Sequence, residues 1–522
     1  MFFAIFILSA CRTAKEYIIS DDALEPAMID DNYRVYYEIF LGGFSDGSGD
    51  GMGDIRGLIN RLDYLNDGDP SSGKSLGITG IWLMPIMPSP SYHKYDTTNY
   101  KEVDRAYGTL EDFQELVEEA EARGIRIIID LVINHTSSYH PWFRNARDAM
   151  REGDLDNPYL EYYNLVTEEE KVSGRTYYHF HGDYYYEGNF WSEMPELNVS
   201  SELVRAEIVD IVSFWLNLGV AGFRLDAVKY PFFGETEPNI AFWKWFMDEV
   251  TAIREDAYVV GEMWDSDANI ILYYEAMNNF DFGMSGSAGA VAMTANGIEP
   301  VNSFVSYLYH YRNSVKEVNP NAILQPFISN HDMNRAAGYL SLDTHRMHMA
   351  ANLYILTYGT PFIYYGEEIG MRGSRGSENT DANRRLAMLW GDRDSVRNPV
   401  GSTFPDDNQV NGTVQDQIGE SDSLYTHYKK LIMVRHANPE IARGEYTPIE
   451  FTGYFTFGGF LSTYNDSTVG VFHNTGESEI TIDLSDFTDH EFSILRAYLG
   501  RGNATLAGQT LTIQGLTSVV LK

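Results

Sequence analysis

Short apolar runs alternate with helical patterns through most of this 522-residue chain, and that alternation narrows the fold more than any other feature. The runs "VYYEIFLGGF" (35–44), "GITGIWLMP" (77–85), "RIIIDLVI" (126–133), "GVAGFRLD" (219–226), "AYVVGEM" (257–263), "AILQPFIS" (322–329) and "TPFIYYG" (360–366) read as buried strands. "FDFGMS" (280–285) is a weaker eighth candidate. Near-continuous apolarity marks strands covered on both faces, as in parallel sheets. Helical patterns lie between them. In 109–124, Thr109 is a cap, Glu111 and Asp112 fill the first turn, and Gly124 is a stop. The segment 201–219 follows the same logic. Eight strands alternating with helices predict an α/β fold built on a parallel (β/α)8 TIM barrel.

Two stretches break the pattern. Residues 138–200 are rich in His, Tyr, Asn and Asp and are too long for a plain loop, so they read as a small domain inserted after the third strand. From 437 to 522 the chain turns to short alternating runs with turn residues, which predict a C-terminal antiparallel β-sandwich. The barrel is then assigned to 33–137 and 201–436, with 12–32 as a linker.

Lys and Arg number 38 against 75 Asp and Glu, a net charge of −37. A phosphate backbone or an anionic membrane surface would be repelled, which excludes nucleic acid as a partner and leaves neutral substrates unaffected. The opening "MFFAIFILSAC" (1–11) resembles a bacterial lipoprotein signal, with Cys11 as the lipidated residue. No Lys or Arg precedes this run, as one would in an ordinary export signal. The run is too short to span a bilayer, which takes about 20 residues. The expectation is an exported monomer at the cell surface or outside the cell, touching the membrane only through a lipid anchor. Cys11 is the sole cysteine, so no internal disulfide forms.

In a parallel barrel the site lies where the strands end. The strand ends carry Asp226, Glu262 and the pair His331-Asp332, with Arg224 and His135 nearby. Arg224 and Asp226 are two apart and share a face of an extended chain. Such a pair alone is most often a structural ion pair. Three acids converging on one mouth repel one another and push their pKa values apart, which a reaction site explains better. Two carboxylates suit glycosidic bond cleavage, one kept ionised and the other kept protonated. Arg224 would hold Asp226 ionised, and the apolar neighbours Met263 and Trp264 would raise the pKa of Glu262.

Seven segments in order make the chain resemble glycoside hydrolase family 13, the α-amylase family. "DLVINH" (130–135), "GFRLDAVKY" (222–230), "GEMW" (261–264) and "FISNHD" (327–332) look like its four main segments. "GITGIWLMPI" (77–86), "MPELN" (194–198) and "GTPFIYYGEEIG" (359–370) look like three more. The resemblance implies that Asp226 is the nucleophile, Glu262 the general acid and base, and Asp332 the group that binds sugar hydroxyls and favours a distorted ring. It implies that Arg224 orients Asp226, that His135 and His331 bind hydroxyls, and that Asp130 supports Arg224. Tyr95 would stack on the sugar at the cleaved bond with His93 and Asp96 beside it. Lys229 and Tyr230 would contact the next sugar, although Lys229 is equally readable as a solvated charge. Most rings of the aromatic stretch 176–191 read as packing, with a few lining outer sugar sites.

"DGSGDGMGD" (46–54) sets Asp46, Ser48, Asp50 and Asp54 at alternate positions between glycines, with the Met52 carbonyl between the last two. Hard oxygen donors at this spacing resemble the front of a calcium loop, without its closing bidentate Glu. The alternatives are a structural Ca2+ site, as in several relatives, and a solvent-exposed Gly/Asp turn. Asn134 matches a second calcium ligand in some α-amylases, and that site stays open.

"MPELN" is most like the group between oligo-1,6-glucosidases and neopullulanases. Ala227 is small where α-glucosidase-like members often carry a branched residue, which favours α-1,4 cleavage of longer chains. The expectation is an α-amylase acting on starch, maltodextrins and maltooligosaccharides with retention. The alternatives are a neopullulanase or cyclomaltodextrinase, an α-glucan transglycosylase, and a starch-binding lipoprotein without turnover.

Overall fold

The computed structural model describes residues 29–341 and 343–522. The apolar run ending at Cys11 lies outside the described residues, as does most of the 12–32 linker.

The barrel is built from very short strands. β1 (Tyr36–Ile39), β2 (Gly80–Leu83) and β3 (Arg126–Leu131) come first. The inserted segment then adds β4 (Leu165–Thr167), β5 (Tyr177–His181) and β6 (Tyr184–Glu187). The barrel resumes with β7 (Gly222–Leu225), β8 (Tyr258–Gly261), β9 (Asn278–Asn279) and β10 (Phe362–Tyr364). Seven of these form one parallel sheet in the order β10-β1-β2-β3-β7-β8-β9. Segment 325–327 closes the gap between its edges through two single parallel bridges, Phe280 to Gln325 and Phe327 to Phe362. Pro326 lies between those bridges and has no N–H to give to a ladder, which is why this eighth element is reduced to isolated pairings. The weak candidate at 280–285 is also displaced. Its strand is Asn278–Asn279, and Phe282–Met284 is a 3-10 turn.

Residues two apart on a strand share a face, and here that face is the barrel interior. Toward the bottom, the Tyr36 ring stacks between Tyr258 (5.1 Å) and Phe362 (4.9 Å). Gly80 pairs with Tyr36 across the sheet. A Cβ on Gly80 would meet the Tyr36 ring at 2.5 Å, so a residue without a side chain belongs there. One layer up, Glu38, Trp82, Asp130 and Arg224 are all buried, and this layer carries the charge. The first of the two expected helices behaves as its end signals predict, whereas Ser201 at the start of the second makes no side-chain cap bond. Thr109 and Asp112 form a capping box on the helix Leu110–Ala122, and Gly124 past its end is left-handed at φ 75°. The helix Glu202–Asn217 buries Val204, Ile208, Ile211, Val212 and Trp215 at helical spacing.

The inserted segment holds the helix Pro141–Glu152 and a three-stranded antiparallel sheet, β4-β6-β5. Phe143 is its hub, packed on Tyr163 (4.9 Å), Tyr186 (5.1 Å) and Phe180 (5.4 Å). A bridge from His135 to Glu196 ties the insertion to the barrel rim. The last eight strands are β11 (Glu445–Ile449), β12 (Phe457–Tyr464), β13 (Ser467–Asn474), β14 (Ile480–Asp483), β15 (Leu495–Gly500), β16 (Ala504–Ala507), β17 (Thr510–Ile513) and β18 (Thr517–Leu521). They form a five-stranded sheet, β11-β12-β13-β18-β15, and a three-stranded sheet, β14-β17-β16. Phe451, Phe457, Phe472, Leu511 and Ile513 belong to a separate core between them. Among the described residues no helix is long and apolar enough to cross a membrane.

Candidate active site

The charged layer of the barrel is organised by one side chain. Arg224, fully buried, sits on β7 opposite Asp130 of β3. Its Nη1 donates to Asp130 Oδ1 (2.9 Å) and to Asp226 Oδ1 (2.8 Å). Its Nη2 pairs with Glu262 Oε1 at 2.9 Å. One guanidinium therefore holds two strand-end carboxylates within hydrogen-bond reach of itself and a third beneath them. Its plane lies over the Trp82 ring at 5.1 Å, an apolar floor that keeps water away from the charges. The turn after β7 adds a further tie. Ala227 is held at φ 49°, and its N–H donates to Glu262 Oε2 at 3.1 Å.

Asp332 joins through a second set of bonds. Tyr95 Oη donates to Asp130 Oδ2 (3.0 Å) and lies 2.7 Å from His331 Nε2. The same nitrogen pairs with Asp332 Oδ2 at 2.9 Å, while Nδ1 of that ring pairs with Glu38 Oε1 at 2.5 Å. Arg385 closes the chain, its Nη2 2.7 Å from Asp332 Oδ1. Asp226, Glu262, Asp332, Arg224, Asp130, Tyr95 and His331 thus form one connected network at the rim where the strands end.

The environments of these acids diverge. Burial pushes Glu262 up to about 7, with Arg224 opposing and the charges of Asp226 and Asp332 adding to the rise. Burial likewise lifts Asp130 to about 6, against the pull of Arg224. For Asp332 burial is outweighed by His331 and Arg385, which hold it far below the usual carboxylate range. His331 is pushed the other way, to about 9, because Asp332 and Glu38 outweigh the cost of burying its charge. The site is set up to hold one carboxyl protonated near neutrality beside another that stays ionised.

The remaining expected contacts divide. His135 Nε2 lies 3.1 Å from the Tyr95 carbonyl, and its ring lies 5.2 Å from Phe190. Burial lowers the pKa of His135 and takes that of His93 to about 4, so both imidazoles are neutral at neutral pH. His93 Nδ1 accepts the Tyr95 N–H at 3.2 Å. The Tyr95 ring is stacked on His331 at 5.6 Å and stays partly open. Tyr230 stacks on Phe233 (4.7 Å) and meets Phe190 at 4.5 Å. Asp96 is occupied within its own loop by the hydroxyls of Ser89 (2.6 Å) and Ser91. Lys229 Nζ is committed to the Trp264 carbonyl (2.7 Å) and Asp265 (3.1 Å). Around the rim, Phe190, Trp191 and Trp264 expose large aromatic faces.

Three residues of this network were not singled out by sequence. Glu38 stands in an apolar strand, the same signal that exposes Arg224. Trp82 read as ordinary core. Arg385 lies 53 positions from Asp332, and no local pattern links them.

The acidic loop follows β1. Asp54 caps the helix Ile55–Asn60, accepting from Gly57 N (2.6 Å) and also from Gly47 N and Ser48 N. Asp46 accepts from Gly49 N (2.6 Å), Gly51 N (2.7 Å) and the Ser395 hydroxyl (2.6 Å). Asp50 accepts from Met52 N at 2.8 Å. The donor set is oxygen only, which fits a hard cation, while its aspartates are engaged with the amides of their own loop.

Known proteins agree with this fold. Residues 38–444 match the family described as "Alpha amylase, catalytic domain". The chain belongs to the α-amylase family. It is 35% identical over 455 residues to "Alpha-amylase 3" of Dictyoglomus thermophilum, covering 87% of this chain and 86% of that one. The solved structure of Eubacterium rectale Amy13B superposes with a TM-score of 0.88 at 36% identity, covering 97% of this chain and 99% of that chain. An α-amylase structure from H. orenii gives 0.81 at 34% identity, with 94% and 99% covered. The chain is a glycoside hydrolase of this α-amylase family.

The raised pKa of Glu262 has a kinetic consequence. If its protonated form does the work, activity is present below that pKa and is lost as pH rises through it. We expect kcat/KM on maltooligosaccharide to fall along an alkaline limb with its midpoint near 7. Glu262→Gln, which cannot titrate, should remove both the limb and most of the rate. A limb unchanged in Glu262→Gln would assign the titration to another group.

Proposed function

We propose that this enzyme cleaves α-1,4-glucosidic bonds within starch and maltodextrins by double displacement, retaining configuration at the anomeric carbon. One observation carries the reading. A single guanidinium is bonded to Asp226 and Glu262 together, and burial pushes Glu262 up to about 7. In the first step the Asp226 carboxylate attacks the anomeric carbon. The bond from that carbon to the leaving glucosyl oxygen breaks, and that oxygen takes the Glu262 proton. In the second step Glu262, now a carboxylate, takes a proton from water as the water oxygen attacks the same carbon. The sugar–Asp226 bond breaks, and both carboxyl groups return to their starting states. Asp332, held ionised by His331 and Arg385, accepts hydrogen bonds from hydroxyls of the distorted sugar. Tyr95, fixed by Asp130 and His331, covers the apolar face of that ring, and the exposed rings of Phe190, Trp191 and Trp264 suit outer sugars of a longer chain. Relatives named as α-amylases support the choice of starch.

The loop 46–54 belongs to the same reading. Asp46, Ser48, Asp50, Asp54 and the Met52 carbonyl would hold Ca2+ as a structural ion, supplying stiffness to the rim and no reaction step. Calcium should raise the unfolding midpoint of chelator-treated enzyme, and Asp50→Asn should remove that rise. No rise in the parent enzyme would leave the segment as a Gly/Asp turn.

A time course on amylose, pullulan and cyclodextrins tests the substrate. Mid-size α-anomeric products from amylose are expected, with Asp226→Asn slowed by several orders of magnitude while it still binds maltooligosaccharide. Panose from pullulan or rapid ring opening would move the reading to a neopullulanase or cyclomaltodextrinase. Binding without turnover in the parent enzyme would overturn it.

A further inference from the structure

A cluster of nitrogen and oxygen donors lies outside the network at the strand ends, among the helices that surround the barrel. The helix Thr344–Ile355 packs there against the helix Leu424–Ala437. His345 and His348 are three positions apart and share one face of the first helix. Asp422 stands in the turn that leads into the second. One ligand atom from each of these three residues lies within 4.8 Å of the other two, and among the described residues this is the one such cluster of His, Asp and Glu.

The histidines are in an unusual state. His348 is 1% exposed, yet neither ring nitrogen makes a well-formed hydrogen bond, only a weak contact with the Ser423 backbone, and Nδ1 of His345 is unpartnered. Buried polar groups are normally satisfied, so a buried imidazole this poorly partnered needs an explanation. The neighbouring ring of His427 does not supply one. It stacks flat on His348 at 4.1 Å, and its Nε2 is taken by the His348 carbonyl (3.2 Å) and Asn352 Oδ1 (2.8 Å). Burial keeps His348 well below its ordinary range, in the neutral form that binds metals.

We propose that His345, His348 and Asp422 form a binding site for a divalent transition metal of the zinc type. Two imidazoles and one carboxylate, with a fourth position left to water, are a tetrahedral zinc donor set. Calcium and magnesium, which take all-oxygen shells, are disfavoured by the nitrogens. Metal–ligand distances of roughly 2.0–2.2 Å set the donor spacing that such a site needs, and the exposed Asp422 side chain can adjust to it. Lys430 is the opposing charge. It feels Asp422 and acts on His348, and burial together with Lys429 lowers it to about 8. The location gives the ion a structural role. Asn352, on the same helix, donates to the Leu499 carbonyl and the Ser518 hydroxyl of the C-terminal sheet, both at 3.0 Å. A metal here would pin two barrel helices at the place where that sheet docks, without entering the reaction.

The test uses the untagged full chain, stripped with a chelator and titrated with Zn2+ by calorimetry, with metal content measured after dialysis. One zinc per chain and a higher unfolding midpoint are expected. His345→Ala and Asp422→Asn, at less buried positions than His348, should each weaken zinc binding by roughly tenfold or more and cancel the rise in midpoint. Asp50→Asn, in the loop after β1, should leave zinc binding unchanged. Absence of retained zinc in the parent chain, or zinc held equally by both cluster variants, overturns the proposal.

Discussion

The site depends on one buried cation. Arg224 sits inside the barrel with three carboxylates bonded to it, in a setting where each charge alone would be expensive to bury. Without the guanidinium, Asp130, Asp226 and Glu262 would be left to repel one another in a poorly solvated space. They would resolve this by taking up protons or by moving apart. With it, two strand ends are locked to a common point, and the carboxylates stay close while differing in charge. Neutralisation is incomplete by design of the surroundings. A single cation faces three acids, so the most readily protonated of them carries a proton near neutral pH.

The second half of the site reaches the opposite balance. His331 lies between Glu38 and Asp332, and Arg385 presses on Asp332 from the other side. Two cations facing one carboxylate keep Asp332 ionised. Tyr95 joins the halves, since its hydroxyl touches both Asp130 and His331. Its ring is therefore fixed before a sugar arrives, and less ordering is left to the binding step.

Much of this was legible in the chain because barrels place chemistry at strand ends. Asp226, Glu262 and Asp332 each follow an apolar run, and Arg224 interrupts one. Glu38 interrupts one as well and could have been read the same way. What could not be read is the tertiary wiring. The pairing of Arg385 with Asp332 has no local signature. Lys229 and Asp96 have the right residue types near the right strands, but the fold commits them to Asp265 and to Ser89 and Ser91. The reduced pairing at 325–327 was visible in Pro326, a residue that cannot complete a ladder. The cluster of His345, His348 and Asp422 joins one helix to the turn before another, and only packing brings it together.

The central claim is that Asp226, and not the acid beside it on the same guanidinium, bonds to the sugar. Mass spectrometry of enzyme stopped with a slowly released fluorinated glucosyl donor measures this directly. One glycosyl group on the peptide containing Asp226 is the result this account predicts. A glycosyl group on Glu262, or no adduct together with β-anomeric products, would contradict it.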